Sequence, residues 1–438
     1  MSAWFTHLTD WLAAHPHWLG LALFAAACIE CLAILGLLIP GTVVLFSIAM
    51  LAGHSGMPLW QTLLLGYTGG LLGDAISYGL GRRYHGHIRA LPGLRQHPQW
   101  LTTAEMYFRR YGVISLLVGR YIGPLRPMLP MVAGMFEMPL GRFMLISLLA
   151  ASGWAVAYLL PGWATGTAMR LPLPPGFWHD VLLILGGLVL VLGVIIHSSL
   201  RGRRQTTLLA AGACLLPLVA LLLGWQALNN LDQGLMTVIQ AHRHGTMDHF
   251  MVLVTRLGDF RTQLAAGVLL VGLLALTRQW RAGLFATGVL LGTALSNVAL
   301  KWLLARARPD ILLEPLSTFS LPSGHSSAAF AFFLTLGILA GRGQPARWRL
   351  TWLLLASLPA MAIAFSRVYL GVHWPTDILA GALLAGTLCA ASLALVQWRT
   401  SLTALPAHVW RIILPPCLGV LAAAALWDLA PALQRYAY

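Results

Sequence analysis

The sequence predicts an all-α polytopic membrane protein in two parts, a domain of paired re-entrant hairpins followed by a bundle of spanning helices. Composition is the first observation: of 438 residues, 58% are hydrophobic and 9% charged, too apolar for a soluble fold of this size. The second is run length. Val181–Ile196, Leu208–Trp225 and Leu379–Val396 approach the ~20 residues that carry a helix across the hydrocarbon core. The third is the absence of strand-length alternation, which excludes a barrel.

The net charge of +15 would suit a nucleic-acid binder, but the arginines sit in short turns between apolar runs. They read as topology determinants and headgroup contacts, and no nucleic-acid partner is expected. Lys301 is the only lysine among the 28 basic residues, so its surroundings carry weight. Cys28, Cys31, Cys214, Cys389 and Cys417 are scattered through apolar segments. Cys28 and Cys31 form a C-x-x-C without the second pair or histidines of a metal site, and read as membrane-core thiols. No basic segment with a cleavage site opens the chain, so no removable signal peptide is expected.

Residues 1–20 interleave Trp4, Phe5, Leu8, Trp11, Leu12 and Trp18 with polar residues, as an in-plane interfacial helix does. Leu21–Gly53 is apolar, holds Glu30, and is interrupted at Pro40-Gly41. Its roughly 33 residues are few for two spans and a turn, so a re-entrant hairpin is expected. Leu59–Gly81 is a full span with Gly66, Gly69, Gly70, Gly73 and Gly79 for close helix contact and Asp74 inside it. The polar stretch with Arg82, Arg83, Arg89, Arg95, Arg109 and Arg110 is expected in the cytoplasm. Tyr111–Gly141, broken by Pro124, Pro127 and Pro130 around Arg120 and Arg126, reads as a second hairpin. It opens inward and the first outward, the pattern of an inverted-repeat transporter.

Phe143–Ala168 crosses outward, and His179–Leu200 crosses back to Arg201-Gly202-Arg203-Arg204. That polar break is the expected boundary, giving residues 1–200, a basic linker over 201–205, and residues 206–438. Beyond it Leu208–Leu228, Thr262–Thr277, Gly283–Leu304, His325–Ala340, Thr351–Phe365, Asp377–Trp398 and Ile412–Trp427 read as spans, with an amphipathic outer segment over residues 229–259. Every turn assigned to the cytoplasm carries Arg. The loops Lys301–Pro309, Pro322–His325 and Ser366–Asp377 therefore share the outer face.

Those loops hold the ionisable residues that a membrane protein normally avoids. Phosphoryl transfer needs positioning and neutralisation of charge on equatorial oxygens. Arg308 and Arg367 offer planar forks, Lys301 a point charge, and Ser323-Gly324 at a helix start a hydroxyl and free N–H groups. Donors of this kind can replace a metal. Two histidines supply the rest: His373, with Asp377 one helical turn on, is the better nucleophile, and His325 is left as general acid. His242, His244, Asp248 and His249 invite a metal reading, but a solvated interfacial loop is expected.

The spacings K-x6-R-P from Lys301 to Pro309, P-S-G-H from Pro322 to His325, and S-R-x5-H-x3-D from Ser366 to Asp377 resemble the three motifs of the type 2 phosphatidic acid phosphatase superfamily. The resemblance covers about residues 205–430. It implies a six-helix membrane phosphatase with a covalent, metal-independent mechanism acting on lipid phosphates or diphosphates. It also implies that Lys301, Arg308, Ser323, Gly324 and Arg367 bind phosphate, that His325 is the acid, and that His373 with Asp377 is the nucleophile pair. Asp248, Thr255, Gly258 and Asp259 resemble the segment that packs before the second helix of that superfamily.

In the N-terminal half, Glu30 followed by Pro40-Gly41, the run Gly69-x3-Gly73-Asp74-x3-Tyr78-x2-Gly81-Arg82, and the run from Gly119-Arg120 through Arg126-Pro127 to Ala133-Gly134 resemble the DedA family. That resemblance implies lipid translocation by paired hairpins, including recycling of polyprenyl phosphate carriers. Glu30, Arg120 and Arg126 match its functional acid and arginines, and Asp74 joins them as a candidate transport residue. Thr42 stands where many members carry a second acid. Arg120 and Arg126 are expected to hold a lipid phosphate with Glu30 as counter-ion or proton site; the alternative is that Glu30 and the arginines pair with each other and stabilise the hairpins.

The expectation is a bacterial inner-membrane fusion whose outward-facing phosphatase converts undecaprenyl diphosphate to the monophosphate, which the DedA-like half returns inward. The alternative is a phosphatidate or phosphatidylglycerophosphate phosphatase fused to a scramblase. No cofactor or metal is called for, and the oligomeric state is left open.

Overall fold

A computed structural model describes residues 3–33, 35–38, 41–84, 98–121, 125–202, 204–313, 318–427, 432–434 and 436. No strand occurs among them. The chain divides into two compact units, Met1–Pro172 and Leu173–Tyr438. Large apolar side chains cover the outside of the helices, with Leu190 73% and Leu223 83% exposed. In water such a surface would aggregate; surrounded by lipid it costs nothing.

The first unit opens with α1 (Ala3–Ala14), then α2 (Leu19–Cys31), the single turn α3 (Leu35–Leu38) and α4 (Gly41–Ser55). At ~1.5 Å per residue α2 and α4 are each about 20 Å long, well short of the ~30 Å core. They pack on each other and on two longer helices, α5 (Leu59–Tyr84) and α9 (Leu140–Ala168). Half-length paired helices are what a re-entrant hairpin requires. The second pair is shorter: α6 (Pro98–Tyr111) leads to α7 (Val113–Gly119) and α8 (Leu125–Met135). Pro40, Arg89, Arg95 and Pro124 lie outside the described residues. Pro127 and Pro130, expected to break the second hairpin, instead fall inside α8. Pro127 sits in the first turn, where a missing N–H leaves no bond unmade.

The glycines of α5 bring backbones together. A Cβ on Gly69 would stand 2.3 Å from the Phe24 carbonyl oxygen, and one on Gly73 2.4 Å from that of Cys28. Helix α2 therefore rests directly on the main chain of α5, and Asp74, the next residue of α5, is buried.

The second unit begins with α10 (Phe177–Arg201) and α11 (Arg204–Gly224). The expected boundary at residues 201–205 is corrected here, because α10 packs against α11 and α17 (Ala346–Tyr369). Arg349 donates to the carbonyls of Ser199 and Leu200, both at 2.9 Å. Gly202 takes a left-handed φ of 65° and closes α10 with an N–H to the Ser198 carbonyl. The polar break is thus a tight helix-to-helix turn ended by a C′ glycine, while the units divide near residue 172.

Two amphipathic helices follow, α12 (Asn229–Gln240) and α13 (Gly245–Arg256). Then come α14 (Phe260–Leu276), α15 (Trp280–Leu304), α16 (Gly324–Ala340), α17, α18 (Pro375–Val396) and α19 (Ala407–Leu426). Each of α14 to α19 starts before the expected span, because polar residues continue a helix past its apolar run. Including α10 and α19, the unit packs more long helices than the six implied by the resemblance. Its core interlocks Leu270, Phe285, Val289, Phe332 and Ala385, all 0% exposed. One end of the bundle gathers the C-termini of α15 and α17 and the N-termini of α16 and α18. At the other end Arg281 caps the end of α18, donating to the carbonyls of Val396, Thr400 and Ser401 at 2.7, 2.6 and 3.0 Å, where a cation suits the helix dipole.

Gly73→Leu is expected to force α2 off α5 and to lower the thermal unfolding midpoint in detergent, overpacking costing about 1–3 kcal/mol or more. Gly79→Leu, with nothing among the described residues within 4 Å of an added Cβ, should leave the midpoint nearly unchanged.

Candidate active site

Three helix ends build the site of the second unit. Helix α15 stops at Ala305, whose left-handed φ of 46° turns the chain into the loop of Arg306 and Arg308. In the last turn of α15 the half-buried ammonium of Lys301 donates to the carbonyls of Phe319 and Ser320. Arg308 fastens the first loop to the third: Nε donates to the Thr318 carbonyl at 2.7 Å, and Nη1 to the Val372 carbonyl at 2.6 Å and to His373 Nε2 at 2.9 Å.

His373 is 1% exposed, in the short loop between α17 and α18. Its Nδ1 lies 3.2 Å from Asp377 Oδ2. Asp377 is the third residue of α18, where its carboxylate also accepts the Trp374 N–H at 2.9 Å, so helix cap and imidazole share one acid. With Nδ1–H given to Asp377, the lone pair of His373 sits on Nε2 and points at Arg308. Burial, joined by the positive charges of Arg308, Arg367 and Lys301, holds this imidazole well below its ordinary pKa. It is neutral, as a nucleophile must be. Burial and the neighbouring Arg367 bring Arg308 down to about 10, which leaves it cationic.

Ser323 is the N-cap of α16, its Oγ facing the Ser326 N–H at 3.4 Å and its own N–H donating to the Asp377 carbonyl at 3.0 Å. Among the described residues a Cβ on Gly324 would meet only Asn297, at an ordinary 3.6 Å, so none of them requires the glycine. A small residue does leave the N–H groups of the helix start open to an anion. Asn297 holds the turn from behind, donating to the Pro322 carbonyl and Ser327 Oγ. Arg367, 2% exposed, donates through Nη1 to Thr255 Oγ1 and Tyr436 Oη, both at 2.9 Å.

His325 lies in the first turn of α16 with Nε2 2.9 Å from Asp259 Oδ1. Burial opposes ionisation of Asp259, but the His325 hydrogen bond and the charges of His325, Arg367 and Arg256 outweigh it and hold the carboxyl below its usual range. Each histidine thus has its own carboxylate. The sequence reading paired only one of them, because Asp377 is four residues from His373 whereas Asp259 is 66 from His325. Thr255 and Asp259, expected to pack, contact Arg367 and His325 directly. Tyr436 and the pair Asp232 and Arg306 were not anticipated either.

The histidines of the amphipathic segment over residues 229–259 are engaged locally. His244 caps α13 at Met247, the rings of His242 and His249 face carbonyls one turn back, and Asp248 pairs with Arg243 at 3.1 Å. Among the described residues no three His, Cys, Asp or Glu side chains cluster as metal ligands.

In the first unit the four candidate residues meet, each arginine with its own acid. Arg126 pairs with Glu30 and Arg120 with Asp74, which also accepts from Ser147 Oγ. All four are 2–6% exposed. The second terminal nitrogens of Arg126 and Arg120 turn toward Cys31 Sγ, at 3.2 and 3.8 Å, and both guanidinium groups lie on the Trp154 ring, 4.1 and 5.1 Å from its centre. A Cβ on Gly41 would stand 2.3 Å from Glu30 Cγ, so the glycine of Pro40-Gly41 makes room for the acid. The arginines are therefore neutralised rather than presented. The cavity that they line with Asp74, Pro130, Phe143 and Ser147 is ≈ 10 Å³, room for about one water. Thr42 contributes no carboxylate, but Asp74 brings a second one from α5.

Comparison with known proteins agrees with both halves. The PAP2 superfamily matches residues 281–401 and the VTT domain residues 39–164. The chain is similar to the inner membrane protein YabI of Escherichia coli (strain K12), 34% identical over 35% of this chain and 60% of that one. It is similar to phosphatidylglycerophosphatase B of Bacillus subtilis (strain 168), 30% identical over 35% of this chain and 78% of that one. A crystal structure of a PAP2-type phosphatidylglycerolphosphate phosphatase from Bacillus subtilis is 26% identical, covering 43% of this chain and 97% of that chain with a TM-score of 0.40.

Two outcomes are expected. Unfolded chains bind a proton on histidine near pH 6.5 whereas His373 in the fold does not, so its contribution to stability is whole above that pH and is lost as pH falls below it. The unfolding midpoint in detergent should drop from pH 7 to pH 5, and drop less in His373→Gln. In the first unit, Glu30→Gln leaves Arg126 uncompensated and should cost about 3–5 kcal/mol. Glu30→Gln combined with Arg126→Gln should cost less, a coupling that a double-mutant cycle of unfolding free energies measures.

Proposed function

Because the chain belongs to the PAP2 superfamily through its C-terminal half and to the VTT-domain, or DedA, family through its N-terminal half, we propose that it is a bacterial inner-membrane lipid phosphatase coupled to a lipid translocator. The observation that carries the reading is His373, neutral and oriented by Asp377, with Nε2 facing Arg308. Arg308, Lys301, Arg367 and the N-terminus of α16 around Ser323 and Gly324 hold the phosphoryl oxygens. Nε2 of His373 attacks phosphorus, the bond to the lipid oxygen breaks, and His325 delivers the proton that this oxygen needs. Water then attacks the phosphohistidine, giving its proton to His325 and restoring the free imidazole. No metal ion is required, since four cationic or N–H donors offset the charge.

The face is argued from charge. The end of the bundle opposite the site carries Arg281, Arg342 and Arg349, so the positive-inside rule supports a site facing the periplasm. The substrate proposed is undecaprenyl diphosphate. Its monophosphate product is a cargo suited to the first unit, where a phosphate displacing the carboxylates of Glu30 and Asp74 would be taken up by Arg126 and Arg120. Asp74 supplies the second carboxylate that Thr42 does not. A second reading, a phosphatidate or phosphatidylglycerophosphate phosphatase joined to a scramblase, is favoured by the similarity to phosphatidylglycerophosphatase B.

Reconstituted protein is expected to release phosphate from undecaprenyl diphosphate and to form an acid-labile phosphoenzyme, both lost in folded His373→Ala. Release only from phosphatidate or phosphatidylglycerophosphate would reject the diphosphate reading in favour of the second.

A further inference from the structure

We propose that Asp232 and Arg306 are positioning residues of the phosphatase reaction, which makes the surface helix α12 a working part of the site. The inference rests on the reading of His373 as nucleophile. Neither residue is a fixed position of the three spaced motifs; Arg306 stands in the variable stretch between Lys301 and Arg308.

Asp232, in the first turn of α12, is 1% exposed, and Arg306, in the loop after α15, is 4% exposed. Arg306 bridges two carboxylates: Nη2 donates to Asp232 Oδ2 at 2.6 Å and Nη1 to Asp377 Oδ1 at 2.9 Å. Asp232 also accepts from Thr376 twice, from its N–H at 2.9 Å and its hydroxyl at 2.6 Å. Thr376 Oγ1 in turn accepts from Arg306 Nη1 at 2.8 Å. The guanidinium is held between rings, 4.6 Å from the centre of Trp225 and 5.6 Å from that of Trp374.

An acid orients an imidazole only if the acid itself cannot turn. Asp377 uses Oδ2 for His373 and for the Trp374 N–H, so Oδ1 is the free lever. Arg306 pins that lever, and Asp232 fixes Arg306 while balancing its charge. Without Asp232 the guanidinium is left under-neutralised among apolar rings, and the strongest remaining hold on it is Asp377 itself, which draws the carboxylate away from the imidazole. The other end of α12 acts on the same loop: Gln240 Nε2 donates to the Val368 and Tyr369 carbonyls at 3.3 and 3.0 Å, just past Arg367. One amphipathic helix therefore sets both ends of the stretch that runs from the phosphate-binding arginine to the nucleophile.

A structural role is separable from a positioning one. Among the described residues the side chains of Lys301, Arg308, Ser323 and Arg367 make no hydrogen bond to Asp232 or Arg306, so the phosphate cradle should survive their alteration. The test uses the full-length protein in lipid vesicles, with whichever of undecaprenyl diphosphate or phosphatidylglycerophosphate the wild type hydrolyses, and inorganic phosphate as competitive inhibitor. Asp232→Asn and Arg306→Lys are expected to lower kcat about 10- to 100-fold, the scale of a misplaced reacting group. KM and the inhibition constant of phosphate should stay within about twofold of wild type. Thr376→Val, which removes only the bridging hydroxyl, should lower kcat in the same way by a smaller factor, and it decides the question if Asp232→Asn does not fold. Wild-type kcat in the variants overturns the proposal, as does loss of kcat together with phosphate inhibition. An inactive wild type overturns the proposed function and this inference with it; an active wild type with unaffected variants overturns this inference alone.

Discussion

The carboxylate of Asp377 is the contact on which the second unit depends. It caps α18, orients His373 and accepts from Arg306, while its backbone carbonyl takes the N–H of Ser323 at the start of α16. Two helix N-termini and one imidazole are therefore set by a single residue. In apolar surroundings each of these bonds is stronger than in water, and each unmade one costs more. That asymmetry explains why Arg308, His373, Asp377, Arg306 and Asp232 are joined in one network at this end of the bundle.

The same constraint acts differently in the first unit. Arg120 and Arg126 each meet a carboxylate, and their remaining reach is spent on a thiol and an indole face. The satisfaction is incomplete: among the described residues the Nε atoms of both arginines and the Trp154 N–H are buried without a hydrogen-bond partner. Buried polar atoms left unpaired in a native fold mark places that ligands or conformational change complete. On the translocation reading, a phosphate arriving here exchanges one anion for another at the guanidinium groups, and the cost of separating the ion pairs is offset by the new ones.

Much of the fold was legible beforehand because the bilayer imposes length. Apolar runs near 20 residues became spans, and the two runs too short for a pair of spans became half-length helices. Where the reading slipped, the cause was local. Arg201-Gly202-Arg203-Arg204 has the composition of a linker, but the left-handed Gly202 closes a helix, and α10 joins the helices that follow it. Pro127 and Pro130 suggested breaks of the second hairpin, yet both fall inside α8, and Pro127, in the first turn, leaves no bond unmade.

The candidate site divides along the same line. Lys301, Arg308, Ser323, Gly324, His325, Arg367, His373 and Asp377 could be named from the sequence alone, because phosphoryl chemistry fixes residue types and helical geometry fixes short spacings such as the turn from His373 to Asp377. Only the tertiary structure decided the partners that lie far along the chain: Asp259 for His325, Asp232 for Arg306, Asp74 for Arg120, Glu30 for Arg126, and Tyr436 for Arg367. A pair separated by 46 to 96 residues leaves no periodicity to read. Helix packing alone brings such groups within 3 Å, and the low dielectric between the helices then makes each unpaired polar group costly.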